Sequence, residues 1–486
     1  MNKTLAALPL AVTTAALVLT GCNGNPGSSA GVSALPNSPA ATHQSRVRRD
    51  DNGPQDLHAG GATFPAYAYN LGDQPTGVYT SPQATPGPGS ILAAAGTTGS
   101  VYYCLTGSGF GRKQFDGASV TATVACAALG QPPTGFGGRQ DPLDFNGSDV
   151  ALASTECCGS TTPYATNRAS TWGQPFELPT IGGPIVFPYN HDGFTGVGSG
   201  AFIQLSTWTY CAISNGTISD WNDAAITADN GGVSVTGGVS ETLHYYFRSD
   251  GSGTSYLFTN KLNTACNATW NGKYKKDPYQ DVGKGRDASW TYGVNQTWPG
   301  PGSSAHPNSR FIPESGNPGV VAGIQGDEWG TGYAEGAWAA AAGAGGFGAL
   351  EQASLLDTVN KTFVSPTNKN AVAIGLRNAK TITYGMGSDG LSLGSSTPWC
   401  QLYIDPSQFV KPPAGAYPIV GLSYWLFYGN NNGVHVPDKI KLIKFIASKK
   451  ANNLLGPLEY SPLAGSVHTA VLTALKGTPS QATCLK

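Results

Sequence analysis

Residues 243–262 constrain the fold more than any other stretch of this chain. Leu243-His244-Tyr245-Tyr246-Phe247-Arg248 is a β-prone run whose only full charge stands at its end. Ser249-Asp250-Gly251-Ser252-Gly253-Thr254 follows as a turn. Leu257, Phe258 and Leu262 then fall on one face of a helix. A strand that turns on glycines into a helix builds a sheet with helices packed on it. Lys439 to Phe445 repeats the helical pattern, with Ile440, Ile443 and Ile446 expected inward. The fold class expected is α/β.

Three more small-residue turns resemble the one at 248–254: Gly60-Gly61-Ala62-Thr63-Phe64-Pro65, Thr106-Gly107-Ser108-Gly109-Phe110-Gly111, and Asp144-Phe145-Asn146-Gly147-Ser148-Asp149. Pro65 suits the first turn of a helix. Free N–H groups at a helix start, with the macrodipole behind them, favour an anion. Serine and threonine add hydroxyl donors, and Arg248 adds a planar fork matched to phosphate or carboxylate. Singly, each turn is an ordinary helix cap. The anion is not a nucleotide held by a P-loop, because no G-x-x-x-x-G-K-[ST] is present. Lysine and arginine total 28 against 29 acidic residues, a net charge of −1. That balance excludes a nucleic-acid binder that works by counterion release.

The N-terminus sets the compartment. Lys3, the apolar run 5–19 and the sequence Leu19-Thr20-Gly21-Cys22 resemble a bacterial lipobox signal. Residues 1–21 are expected to be a signal peptide and Cys22 the acylated N-terminus. Residues 22–55, rich in Gly, Ser, Pro and Asn with basic Arg46, Arg48 and Arg49, would form a flexible tether. No second spanning segment follows, so membrane contact is expected through the lipid alone. The protein is placed in the cell envelope, facing the periplasm or the cell surface. Eight cysteines remain, and an oxidising compartment implies disulfides. Proximity in the chain suggests Cys104–Cys126, Cys211–Cys266 and Cys400–Cys484. Cys157 and Cys158 would close a ring together or pair elsewhere. No C-x-x-C or H-x-x-x-H spacing suggests a metal, and no cofactor is expected. The Pro/Gly/Thr-rich stretch 75–99 reads as an inserted surface loop, and the Ala/Gly tracts near 334–349 as a small-residue helix or packing seam.

The four turns, in this order, look like the signature segments of phosphate-binding proteins of ABC transporters (PstS-like). Leu178-Pro179-Thr180-Ile181-Gly182-Gly183, Ile218-Ser219-Asp220-Trp221-Asn222, Ser315-Gly316-Asn317-Pro318-Gly319 and Tyr460-Ser461-Pro462-Leu463 agree with that family. Cys211 and Cys266 are similar to its secreted DING-type branch. The resemblance covers most of residues 57–486, with insertions around 75–100 and 340–380. It implies a two-lobed periplasmic-binding-protein fold of type II. Each lobe would be a mixed sheet flanked by helices: residues 56–187 plus 418–486 in lobe I, and 188–417 in lobe II. The crossings would fall near Phe187-Pro188-Tyr189 and Tyr417-Pro418-Ile419-Val420. The ligand implied is inorganic phosphate in the cleft, held by Thr63, Phe64, Ser108, Asp149, Arg248, Ser252, Gly253 and Thr254, with Asp250 holding the Arg248 fork. The partner implied is a membrane-embedded ABC permease, and a monomer is expected.

The chemistry fits that set. Near pH 7 phosphate carries protons and sulfate carries none, so an ionised Asp149 accepts from phosphate and repels sulfate. Two enzymatic readings compete. Gly390-Leu391-Ser392-Leu393-Gly394 matches G-x-S-x-G, with Asp405 and His435 or His468 following in hydrolase order. Residues 385–398, however, lack the strand and helix a nucleophile elbow needs. Phosphate-ester hydrolysis by a DING-like secreted or surface protein is the second. A surface adhesion lipoprotein that merely retains the pocket is a third, non-enzymatic reading. The expectation is a binding protein and not an enzyme.

Overall fold

A computed structural model describes residues 56–72, 86–118, 142–198, 200–268, 292–344, 350–430 and 436–486. The signal segment, Cys22, the tether, Cys126, His435 and the 75–85 stretch lie outside the described residues.

Two strands anchor a seven-stranded mixed sheet. Pro175–Val186 is buried along its whole length, as is Val420–Tyr428, and the two pair antiparallel. Near-continuous apolar runs are what a strand covered on both faces requires. Outward on one side follow Phe145–Ser148, Leu57–Gly61 and Val101–Leu105. The last two are parallel to each other, and Leu57–Gly61 also runs parallel to Phe145–Ser148. Ala334–Glu335 and Ser461–Pro462 pair with Pro175–Val186. A five-stranded mixed sheet takes the order Leu350–Gln352, Pro188–Asn190, Gly330–Gly332, His244–Arg248, Phe311–Glu314. The chain leaves the first sheet at Val186 and enters the second at Pro188, so the single residue Phe187 spans the change. Val420 marks a return to the first sheet. Ala334–Glu335 is a further visit, made between two strands of the second sheet.

Aromatic side chains hold each layer. Tyr69 meets Tyr103 and Trp425, and Trp425 meets Phe145, with ring centroids 5.1–5.5 Å apart. On the second sheet, Phe258 of the helix Gly253–Ala268 stacks on Tyr333 at 4.4 Å and lies near Trp298. Truncating a ring buried this completely costs about 3–5 kcal/mol, which fixes that helix on its sheet. Leu257, Phe258 and Leu262 are buried as their spacing requires. The helix Val436–Ile446 buries Ile443 and Ile446, while Ile440 is half-buried. The helix Gly336–Ala344 forms within the Ala/Gly tract. The 86–99 part of the first insertion carries the short helix Ile91–Ala94.

Disulfides join Cys211 to Cys266 and Cys400 to Cys484, as chain proximity suggests. Cys157 and Cys158 bond to each other, which resolves the open alternative. Cys104 is also disulfide-bonded.

Candidate functional site

Arg248 ends its strand with its side chain 1% exposed. Its Nε donates to Asp250 Oδ1 at 2.6 Å and its Nη2 to Asp250 Oδ2, a two-pronged pair. The remaining nitrogen, Nη1, donates to Thr254 Oγ1 at 3.3 Å and Asn317 Oδ1 at 3.2 Å. Burial works against the guanidinium charge, but Asp250 outweighs it and holds Arg248 above its ordinary pKa. Burial likewise opposes ionisation of Asp250, yet Arg248 and the Gly316 N–H hold it below the carboxylate range. The fork is thus fixed, with four of its five N–H groups engaged and one on Nη2 remaining.

Ser252 starts the helix Gly253–Ala268, its hydroxyl accepting from Ser255 N at 3.0 Å. The first-turn amides of that helix have no carbonyl one turn behind them. The helix Ser108–Phe115 starts opposite. There Ser108 Oγ accepts from Asp149 N and donates to Asp149 Oδ2, both at 3.0 Å. Ser423 Oγ donates to Asp149 Oδ1 at 2.8 Å. Asp149 is 2% exposed, and desolvation pushes its pKa up to about 7 despite both hydroxyls and Arg248.

The two sides touch. A Cβ on Gly253 would collide with Asp149 and with Ser108 Oγ. One on Gly109 would stand 2.8 Å from Gly251 O, to which the Gly109 N–H donates at 2.7 Å. One on Gly107 would stand 2.6 Å from Asp250 Oδ2. Only glycine permits this approach at Gly107, whose φ of +82° also disfavours other residues. Thr63 joins through Asn317, whose N–H reaches Thr63 Oγ1 at 3.4 Å and whose amide donates to Thr254 Oγ1 at 3.3 Å. Behind the turn, Trp338 Nε1 donates to Thr63 O at 2.8 Å and Tyr460 Oη to Phe64 O at 2.7 Å. The Thr63 carbonyl and the Phe64 N–H share one peptide plane and point opposite ways, so the indole fixes the direction of that N–H.

Thr63, Phe64, Ser108, Asp149, Arg248, Asp250, Ser252, Gly253 and Thr254 therefore form one connected cluster. It draws on both sheets, on two facing helix starts, and on a third helix start at Gly316. Such a cluster offers amide, hydroxyl and guanidinium donors around a single carboxylate acceptor, which suits a tetrahedral oxyanion that carries a proton. Sequence reasoning missed Ser423 and Asn317. Ser423 had a signal, the one small polar side chain in the buried run Val420–Tyr428. Asn317 lay in a quoted segment, but its role is set by distant residues. The rival elbow does not form: Ser392 is exposed in a loop and accepts from Gly394 N. Asp405 caps its own turn at Ser407 N.

The class follows from the layers and the cleft: two mixed sheets joined by short crossings, with helix starts meeting between them. A model of the PBP superfamily domain matches residues 97–450, well over half of the chain, and the chain belongs to that superfamily. Its fold is the two-lobed type II binding-protein fold. The crystal structure of PfluDING, a high-affinity periplasmic phosphate-binding protein bound with phosphate, matches at a TM-score of 0.56 and 21% identity. The match covers 88% of this chain and 96% of that one. Among curated proteins the chain is similar to phosphate-binding protein PstS 3 of Mycobacterium leprae, 27% identical over 70% of this chain and 74% of that protein. It is also similar to PstS3 of Mycobacterium bovis, 25% identical over 90% of both. A shorter match, 27% identical over 45% of this chain and 43% of that protein, is to alkaline phosphatase L of Pseudomonas aeruginosa. The resemblance drawn from the turns is thus to the right family. None of the described helices is long and apolar enough to cross a membrane.

Proposed function

We propose that this protein captures inorganic phosphate between its two lobes, 56–187 with 418–486 and 188–417, and hands it to an ABC-type permease. The carrying observation is Asp149, sealed between Ser108 and Ser423 and facing Gly253 and Arg248. An acceptor carboxylate in a ring of donors selects an oxyanion that still bears a proton. Phe64, Ser108, Gly253 and Thr254 contribute backbone N–H groups, Thr63, Ser252 and Thr254 hydroxyls, and Arg248 its remaining Nη2 N–H. Charge-assisted bonds of about 1.5–3 kcal/mol each reach the roughly −8 kcal/mol of micromolar binding after entropy losses. The relatives named for phosphate binding support this reading. Acylation at Cys22 after removal of 1–21 would hold the protein at the membrane while the tether lets it reach the permease.

Mass spectrometry of protein purified without added anion should find phosphate retained, and calorimetry on stripped protein should give one site. Absence of both rejects the assignment. Turnover of a chromogenic phosphate ester is the parallel measurement: release matching the protein concentration per minute or faster favours the phosphatase alternative.

A further inference from the structure

The helix Gly253–Ala268 borders a second cavity, of about 490 Å³, on its far stretch. We propose that this cavity is a separate binding site for a small organic anion, a carboxylate with a short apolar tail. Its floor holds Lys261, eight residues beyond Gly253 and about 12 Å along the helix, with only 8% of the residue exposed. Among the described residues its ammonium has one hydrogen-bond partner, the Val410 carbonyl at 2.8 Å. An ammonium has three donors, and a buried one without a counter-charge is unfavourable. Burial alone pulls the Lys261 pKa down to about 8, with no carboxylate contributing. Asp357, between the lining residues Leu356 and Thr358 in the chain, is engaged elsewhere: its oxygens accept from Gly415 N at 2.7 Å and Val359 N at 2.8 Å.

The lining chooses the ligand class. Among the described residues, Lys261 and Lys411 are its charged members and no acid lines it. Thr207 brings a buried hydroxyl beside the floor. Leu356, Val410 and Pro418 supply apolar wall. Beyond the two ammonium groups its side-chain donors are hydroxyls, with no arginine fork of the kind the cleft brings to a doubly charged inorganic anion. One carboxylate against Lys261 and Thr207, with carbon along the apolar wall, satisfies both halves. The site is independent of the phosphate reading.

The test uses the full chain with hexanoate as probe and hexanol as its uncharged counterpart. Hexanoate should bind by calorimetry at least tenfold more tightly than hexanol, and Lys261→Met should remove that advantage. In the unaltered protein hexanoate should also slow acetylation of Lys261, read by mass spectrometry against exposed Lys380, which keeps the test decisive if the variant fails to fold. Equal affinity for acid and alcohol, unchanged hexanoate binding in Lys261→Met, or no protection of Lys261 would overturn the proposal.

Discussion

Replacing Asp149 by Asn exchanges one carboxylate oxygen for an NH₂ group and leaves the shape almost unaltered. Ser108 and Ser423 hold the two oxygens through hydroxyls that can rotate, so either amide orientation keeps a partner. Two consequences can be sized. The folded-state pKa of Asp149, about 7, lies above its ordinary 3.8 because burial disfavours the charge. The fold therefore binds this proton more tightly than the unfolded chain does. That contribution is complete below about pH 4 and is lost as pH rises through 7. A shift of some three units corresponds to about 4 kcal/mol at most, so the anion-free Asn variant should be more stable than the parent at pH 8, and the gap should vanish at pH 4. The second consequence concerns ligand choice. An ionised Asp149 facing an unprotonated sulfate oxygen sets two buried anionic oxygens together with no proton between them, a penalty of several kcal/mol, and about 1.4 kcal/mol is tenfold. The Asn variant should narrow phosphate-over-sulfate discrimination by roughly 100-fold or more, while phosphate itself loses about tenfold. Competition calorimetry at pH 8 reads both. In the unaltered protein sulfate should compete better as pH falls below about 7, where Asp149 itself becomes a donor, and the variant should show no such rise. Unchanged selectivity, or sulfate binding indifferent to pH in the parent, would refute the acceptor role.

Arg248→Ala removes the donor that sees any tetrahedral oxyanion and strands Asp250, so phosphate and sulfate should weaken together, by roughly 100-fold, in the same titration. Gly253→Ala places a methyl group against Asp149 and Ser108 Oγ. Phosphate affinity should fall by at least about 100-fold while the melting temperature of the anion-free protein stays within a few degrees, as expected when only closure is obstructed. Trp338→Phe keeps a ring against Tyr67, now 4.9 Å away, but deletes the N–H held by Thr63 O. An affinity loss of about tenfold, with little change in unfolding by urea, would mark Trp338 as a positioning residue, and an unfolding midpoint that falls in step with affinity would count against it.

What could be read in advance, and what could not, divides by how far apart the cooperating residues stand. The strand, turn and helix of 243–262 are local, and their spacing alone announced the helix start and the arginine beside it. The pairing of Cys157 with Cys158 was left open because adjacency makes ring closure possible without requiring it. Asn317 ties Thr63 to Arg248 and Thr254 across sequence separations of 254 and 69 residues, and no periodicity encodes such a contact. Ala334–Glu335 was not foreseen as a strand of the first sheet, because two residues carry no alternation to detect.

Glu335 shows why the rear of the site stayed hidden. It is wholly buried, and desolvation holds its pKa well above the carboxylate range. One oxygen accepts from Ala337 N at 2.9 Å, and the other lies 3.0 Å from Tyr460 Oη. The Tyr460 hydroxyl has one hydrogen and two acceptors within reach, Phe64 O at 2.7 Å and this Glu335 oxygen at 3.0 Å, the shorter contact being to Phe64. Glu335 and the Phe64 carbonyl thus hold the phenol between them, and the phenol braces the backbone of the Thr63–Phe64 turn. The turn that supplies the Phe64 amide is therefore held by burial of an acid 271 positions later in the chain than Phe64, a dependence visible only once Ala334–Glu335 is seen to pair with Ile185 and Val186.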